Sequence, residues 1–186
     1  GSSANANACR CGVKDCTTST GLFCKLNYCS KVAIGLNPLP NDGSLQSVVS
    51  DWIAGGDQKN TVIATYGNIE DWDISLVTSL DNVFQGRTNF VDDLSKWQTS
   101  RVTSMIGTFQ HAFAFNSDLS KWITDKVTSL SNTFQDAFAF NSDLSKWITN
   151  KVKYMPYAFL GAVSFNADLS KWQTNSITDM SSIFQW

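Results

Sequence analysis

Apolar and polar positions alternate through the second half of the chain with a fixed interval of 25 residues, marked by Trp72, Trp97, Trp122, Trp147 and Trp172. Val77, Val102, Val127, Val152 and Ile177 follow each tryptophan by five residues, and Leu80, Met105, Leu130, Met155 and Met180 by eight. Phe84, Phe109, Phe134, Phe159 and Phe184 follow by twelve. Phe90, Phe115, Phe140 and Phe165 come next, then Leu94, Leu119, Leu144 and Leu169. No insertion or deletion breaks the register. A period of this size implies stacked units that bury a shared core.

Stacking is required energetically. Each large apolar side chain contributes roughly 1.5–3 kcal/mol when fully buried. Ordering the backbone costs about 1–2 kcal/mol per residue. One unit therefore cannot fold alone and must be covered by its neighbours. Within a unit, Met105, Thr108, Phe109 and Ala112 have the i, i+3, i+4, i+7 spacing of a helical face, with Ser104 or Ser129 as the cap. Pro156 then falls in the first turn of the fourth such helix. Asp118 to Trp122 alternates like a half-buried strand, and Lys126 to Ser129 reads as a second extended piece. The expected fold is an α/β repeat solenoid of leucine-rich-repeat type, with coils of strand, turn, strand and helix. Its strands would form parallel sheets at about 4.8 Å spacing.

The first half differs. Cys9, Cys11, Cys16, Cys24 and Cys29 crowd a Gly-containing stretch with little apolar material. That pattern predicts a small disulfide-rich module and an oxidising compartment. Zinc is the rival, but no pair has the two-residue separation of a zinc finger and no His is near. Five is odd, so two disulfides leave one thiol over. Lys31 to Pro40 reads as a linker. Ser44 to Ala54 predicts a helix with Leu45, Val48, Val49, Trp52 and Ile53 on one face, ended by Gly55 and Gly56. Thr61 to Tyr66 suits a short strand or helix. The expected divisions are 1–30 for the Cys-rich module, 31–43 for the linker, 44–71 for an N-terminal cap and 72–186 for the repeats.

Composition narrows the function. The net charge of −2 argues against a nucleic-acid partner. No apolar run is long enough to span a membrane. The chain opens Gly1-Ser2-Ser3 without Met, as a processed form or a cloning remnant does. Trp186 stands where earlier units have Gly86, His111, Asp136 and Gly161, so the fifth unit stops early. Ile183, Phe184 and Trp186 are the expected contact residues of an open end, which another chain would cover unless the chain has been trimmed.

Polar residues repeat as well. Lys96, Lys121, Lys146 and Lys171 form one basic column, and Arg101, Lys126 and Lys151 a shorter one. Asp93, Asp118, Asp143 and Asp168 form an acidic column that offsets the first. The bland reading is a solvated charged face; the functional one is a stripe gripping an anionic glycan or a protein. Asn116, Asn141 and Asn166 suit turn bonds to backbone. Thr99, Thr124, Thr149 and Thr174 form a threonine column, and a regular threonine array can order water, though a single column beside lysines is weak evidence for it. His111 is the sole histidine, at a variable turn position. No Ser-His-Asp set, phosphate loop or His-based metal cluster can be assembled. Asp118 and Asp143 mimic a glycosidase pair only if about 5–10 Å apart. An array repeats its residues in every unit, so the chain is read as non-catalytic, without cofactor or metal.

The run Phe115-Asn116-Ser117-Asp118-Leu119-Ser120-Lys121-Trp122, then Val127-Thr128-Ser129-Leu130 and Phe134, resembles the BspA-like leucine-rich-repeat surface proteins. Tyr66-Gly67-Asn68-Ile69-Glu70-Asp71-Trp72-Asp73-Ile74-Ser75 is similar to the same repeat. The aspartate that usually follows the tryptophan is kept only as Asp73; Gln98, Ile123, Ile148 and Gln173 replace it. The resemblance implies an extracellular or cell-surface protein that binds proteins, matrix or cells, and no shared binding residues. An oxidising organelle lumen is the alternative location. Two functions are therefore expected: a secreted or surface scaffold binding a protein or glycan, or a structural subunit of a larger assembly.

Overall fold

The computed structural model describes residues 9–11, 14–16, 22–25, 28–31 and 42–185. Side chains are described from 42 onward. The predicted linker lies almost wholly outside these residues. The early backbone forms two antiparallel hairpins. Strand β1 (Cys9–Cys11) pairs with β2 (Lys14–Cys16), and β3 (Leu22–Lys25) with β4 (Tyr28–Lys31). The expectation of disulfides is not carried forward: no disulfide occurs among the described residues, and the thiols of Cys9, Cys11, Cys16, Cys24 and Cys29 lie outside the described side chains.

Two helices precede the repeats. Helix α1 (Asp42–Ala54) buries Leu45, Val48, Val49 and Trp52, whose spacing of three and four places them on one stripe. Ile53, expected on that stripe, is instead exposed. Gly55, at φ 74°, reverses the chain into α2 (Gly56–Tyr66), which takes in the undecided segment Thr61 to Tyr66. Gly67, at φ 79°, ends α2, and its N–H donates to the Ile63 carbonyl at 3.0 Å. A 3-10 turn, Ile69–Asp71, then leads into Trp72. Helix α1 is fixed to the first coil by polar contacts. The Asp42 carboxylate accepts from Thr78 N–H (2.7 Å), Thr78 Oγ1 (2.8 Å) and Ser79 N–H (3.1 Å). Gln46 Nε2 donates to the Asp81 carbonyl, and Trp52 Nε1 to Asp92 Oδ2.

From 72 onward the α/β repeat expectation is overturned. Among the described residues of 72–185 there is no helix and no strand; the coils are built of turns and isolated parallel bridges. Each coil contributes one bridge residue: Ser79, Ser104, Ser129, Tyr154 and Asp179. The geometry explains the failure. Phe84, Phe109, Phe134 and Phe159 follow one another at centroid separations of 5.3, 5.6 and 5.4 Å. An α-helix with its side chains is about 10–12 Å across, so no helix fits that step. The segment read as a helix instead divides its N–H groups between two uses. Leu80, Asn82, Phe84 and Gly86 donate to the carbonyls of Ser104, Ile106, Thr108 and Gln110 in the next coil. Val83, Gln85 and Arg87 donate three residues back, to Leu80, Asn82 and Phe84.

That path needs left-handed residues twice per coil. Asn82, Gly107, Asn132, Tyr157 and Ser182 hold φ between 49° and 58°. Gly86, His111, Asp136 and Gly161 hold φ between 55° and 70°. Glycine, asparagine and aspartate tolerate this region; a tyrosine there is an outlier. Ser104 and Ser129 do not cap helices: Ser104 Oγ bonds Asp81 Oδ1, and Ser129 Oγ bonds Ser131 Oγ. Asp118 to Trp122 forms no strand either, because Asp118 Oδ1 accepts the Ser120 N–H in a local turn. Pro156 sits in a turn, its carbonyl accepting from Asn132 N–H.

Inside the coils, aromatic rings form continuous files. Trp97 and Trp122 stack at 6.3 Å with planes 2° apart. Phe115 and Phe140 stack at 6.0 Å and 5°. Within a coil, Phe109 and Phe115 close to 3.9 Å. Such pairs add roughly 0.5–1.5 kcal/mol each beyond area burial. Where backbone bonds between coils are missing, side chains supply them. The Trp97, Trp122, Trp147 and Trp172 indole N–H groups donate to the carbonyls of Ile69, Leu94, Leu119 and Leu144. Asn116 Oδ1 accepts the Asn141 N–H, and Asn141 Oδ1 the Asn166 N–H.

Candidate functional site

The segment after each tryptophan carries the most regular exposed chemistry. Gln98, Ile123, Ile148 and Gln173 face solvent in the first position. The next column turns inward: Thr99, Thr124 and Thr149 are buried. Thr124 Oγ1 donates to the Ile148 carbonyl (3.1 Å) and accepts the Ile148 N–H (2.8 Å). Thr99 and Thr149 do the same with Ile123 and Gln173. These hydroxyls bridge coils, so the water-ordering idea for this column fails. Two residues beyond the threonine, Arg101, Lys126 and Lys151 are exposed, and Val102, Val127 and Val152 behind them are buried. Thr103, Thr128 and Lys153 then point outward again. Thr103 and Thr128 donate their hydroxyl protons to Thr78 and Thr103 carbonyls, leaving oxygen lone pairs outward.

The two predicted basic columns differ in environment. Beside Lys96, Lys121, Lys146 and Lys171 runs the aspartate column. Asp93, Asp118, Asp143 and Asp168 each accept the N–H of the serine two residues on, at 2.8 to 2.9 Å. These serine contacts are the main reason their carboxyls stay below the usual range, with a smaller pull from nearby lysines. Lys96 is held by Asp71 at 2.8 Å and Glu70 at 3.6 Å. The Asp71 bond is the chief cause of its raised pKa. Among the described residues Lys121, Lys146 and Lys171 form no ion pair, but their charges help hold Asp118, Asp143 and Asp168 below the usual range. The Arg101, Lys126 and Lys151 column is preceded by Ser100, Asp125 and Asn150 instead of an aspartate file. Among the described residues, none of the three forms an ion pair. Like charges repel by up to about 1 kcal/mol per neighbouring pair in water. The fold bears that cost on this edge without compensation.

The fourth coil breaks the repeat here. Lys153 replaces threonine, Tyr154 replaces serine and Tyr157 replaces asparagine or glycine. Tyr154 is 51% exposed and Tyr157 40%. Sequence reasoning missed all three, although their departure from the column residue was a readable signal.

Elsewhere the surface is less regular. Phe113 and Phe138 stack at 4.6 Å while partly exposed. His111 Nδ1 lies 3.1 Å from Asp136 Oδ2, beside the Phe113 ring. A cleft of about 440 Å³ separates the helices from the first coil, lined by Trp52, Ile53, Lys59, Arg87, Val91 and Asp92. Lys59 Nζ sits 3.9 Å over the Trp52 ring, whose N–H holds Asp92. Arg87 Nη2 donates to Ser50 Oγ at 2.9 Å, and its Nε is buried without a partner. Of the predicted end residues, Ile183 is half-buried, Phe184 stacks on Phe159 at 5.5 Å with 44% exposure, and Trp186 lies outside the described residues. Among the described residues, no group of His, Cys, Asp or Glu is placed to hold a metal, and no helix is long and apolar enough to cross a membrane.

A family model described as "Mycoplasma protein of unknown function, DUF285" matches residues 57–152 and 122–186, more than half of the chain. The chain belongs to the DUF285 family. The leucine-rich-repeat assignment is corrected accordingly: DUF285 repeats are what the family comparison finds, and their coils here carry turns where leucine-rich repeats need strands. No curated protein and no solved structure matches. The DUF285 match takes in every coil, including the uncompensated basic edge at Arg101, Lys126 and Lys151.

Proposed function

We propose that this DUF285 chain is a non-catalytic binding scaffold, secreted or displayed at a cell surface, that recognises a protein or glycan through one exposed edge of its coils. One observation carries the reading. The buried threonine and tryptophan columns and the exposed asparagine column are consumed in holding coils together, whereas Arg101, Lys126 and Lys151 stand exposed, without ion pairs among the described residues and without an aspartate file beside them. A repeated cation with no structural partner favours an external one. The likeness of the repeat to BspA-like surface proteins supports the same location and class of role. Stacked repeats offer long regular faces for such partners.

The test is direct. The full chain is applied to immobilised panels of extracellular-matrix proteins and of glycans, and saturable binding is measured by surface plasmon resonance. Saturable binding to at least one panel member is expected, with a fall when salt is raised. A folded chain that saturates on nothing in either panel sinks the proposal.

A further inference from the structure

We infer that the edge formed by Arg101, Lys126 and Lys151 binds a linear acidic polysaccharide carrying one carboxylate per sugar, lying along the direction in which the coils stack; this rests on the scaffold reading above. The first argument is charge complementarity. Three consecutive coils each present one exposed cation at the same position, with no carboxylate in ion-pair range among the described residues. Lys153 extends the line. It lies two residues beyond Lys151 with buried Val152 between them, so both ammonium groups project outward within about 7 Å of chain.

Spacing is the second argument. The ring files repeat once per coil at 5.3 Å between Phe84 and Phe109, 6.0 Å between Phe115 and Phe140 and 6.3 Å between Trp97 and Trp122. That step is of the same order as the advance of one sugar in a 1,4-linked chain, which suits one carboxylate to one cation per coil. Duplex nucleic acid carries a charge about every 1.7 Å, too dense for this single file. Anionic membranes select clusters of roughly 4–8 basic residues, spread over a surface rather than along an edge.

The neighbouring chemistry favours a sugar over an acidic peptide. Thr103 and Thr128 turn hydroxyl oxygens outward with their protons already donated, which makes them acceptors for sugar hydroxyls. Tyr154, 51% exposed at a position that is serine in three other coils, adds a flat ring with a hydroxyl at its tip. A helical peptide needs an apolar groove, and the cleft of this molecule lies instead against Arg87 to Asp92.

The probe is sodium alginate, titrated into the full chain by isothermal calorimetry at low salt. Neutral dextran, poly-glutamate, duplex DNA and phosphatidylserine vesicles serve as comparisons. Alginate is expected to bind more tightly than all four. The triple variant R101Q/K126Q/K151Q is expected to weaken binding at least tenfold, and Tyr154→Ser about threefold. The triple variant K121Q/K146Q/K171Q is expected to change it less than threefold. Circular dichroism and Tm confirm that each variant is folded. Equal losses in the two triple variants, or tighter binding of poly-glutamate, DNA or vesicles, overturn the inference. Failure of alginate to bind while the chain still saturates on a panel partner overturns the inference alone. Failure of both removes the scaffold reading with it.

Discussion

The indole N–H of Trp122 donates to the backbone carbonyl of Leu94, 3.0 Å away and 28 residues earlier in the chain. Three other coils repeat the bond. It gives this column a reason to hold tryptophan and not another large ring. Phenylalanine would fill much of the space but lose the bond between coils, leaving the Leu94 carbonyl with the Trp97 N–H alone, at 3.1 Å.

The consequence is measurable. Trp122→Phe should cost about 1–2 kcal/mol, the net worth of one hydrogen bond plus some lost packing. Trp122→Ala should cost about 3–5 kcal/mol. Urea unfolding with an unchanged slope reads both. A Trp122→Phe midpoint equal to that of the parent would show that packing alone fixes this position.

The threonine column makes a counter-intuitive prediction. Thr124→Val keeps the shape and adds apolar surface to a site that is 3% exposed. Burial alone would stabilise it. Yet the hydroxyl both donates to and accepts from Ile148, so valine strands two backbone groups. We expect a loss of about 2 kcal/mol or more and a much smaller loss for Thr124→Ser. A valine variant as stable as the parent would mean that water replaces the hydroxyl.

The period was legible because one residue type recurs in each column, and that fixed which side chains neighbour one another. The path between the columns was not. Met105, Thr108, Phe109 and Ala112 have helical spacing, but the same spacing arises when N–H groups bond three residues back and across to the next coil by turns. Periodicity reports which residues face inward, not how wide the backbone path is. A better signal was present: Asn82, Gly107 and Asn132 in one column and Gly86, Asp136 and Gly161 in another are residues suited to left-handed backbone, inside the supposed helix. The aspartate file beside the Lys96 column was also legible in sequence. What was not legible is that Asp71 and Glu70 hold Lys96 and that serine N–H groups fix the aspartates.

Left-handed positions give a pair of opposite expectations. Gly107 sits at φ 58°, where a Cβ strains the backbone and would also push aside the end of the Asn82 side chain. Gly107→Ala should therefore lower stability by about 1–2 kcal/mol. Tyr157, at φ 57°, occupies the same position in the fourth coil. Tyr157→Asn restores a tolerant residue there and should raise stability by about 1 kcal/mol. Thermal unfolding of the two variants beside the parent checks both signs. A destabilised Tyr157→Asn would mean that the half-exposed ring packs more favourably than its backbone strain costs.

Asp42 links stability to pH. Burial works against its charge, but N–H groups of Ser79 and Thr78 and the Thr78 hydroxyl outweigh that and hold the carboxyl below its ordinary value. A group with a depressed folded pKa contributes stability above its unfolded pKa, near 3.9, and loses it as pH falls through the lower folded value. The bonds that Asp42 makes between α1 and the first coil should therefore weaken below about pH 4, in step with the serine-bonded carboxyls of Asp93 and Asp118. Asp42→Asn keeps an acceptor oxygen but loses the charge, and should cost about 1–2 kcal/mol at pH 7. Urea unfolding of parent and variant from pH 7 to 2.5 should show a constant gap down to about pH 5, then curves that converge as the parent's carboxylate takes up its proton. A gap that persists unchanged at pH 2.5 would mean that the loss comes from altered packing at the end of α1 and not from the charge.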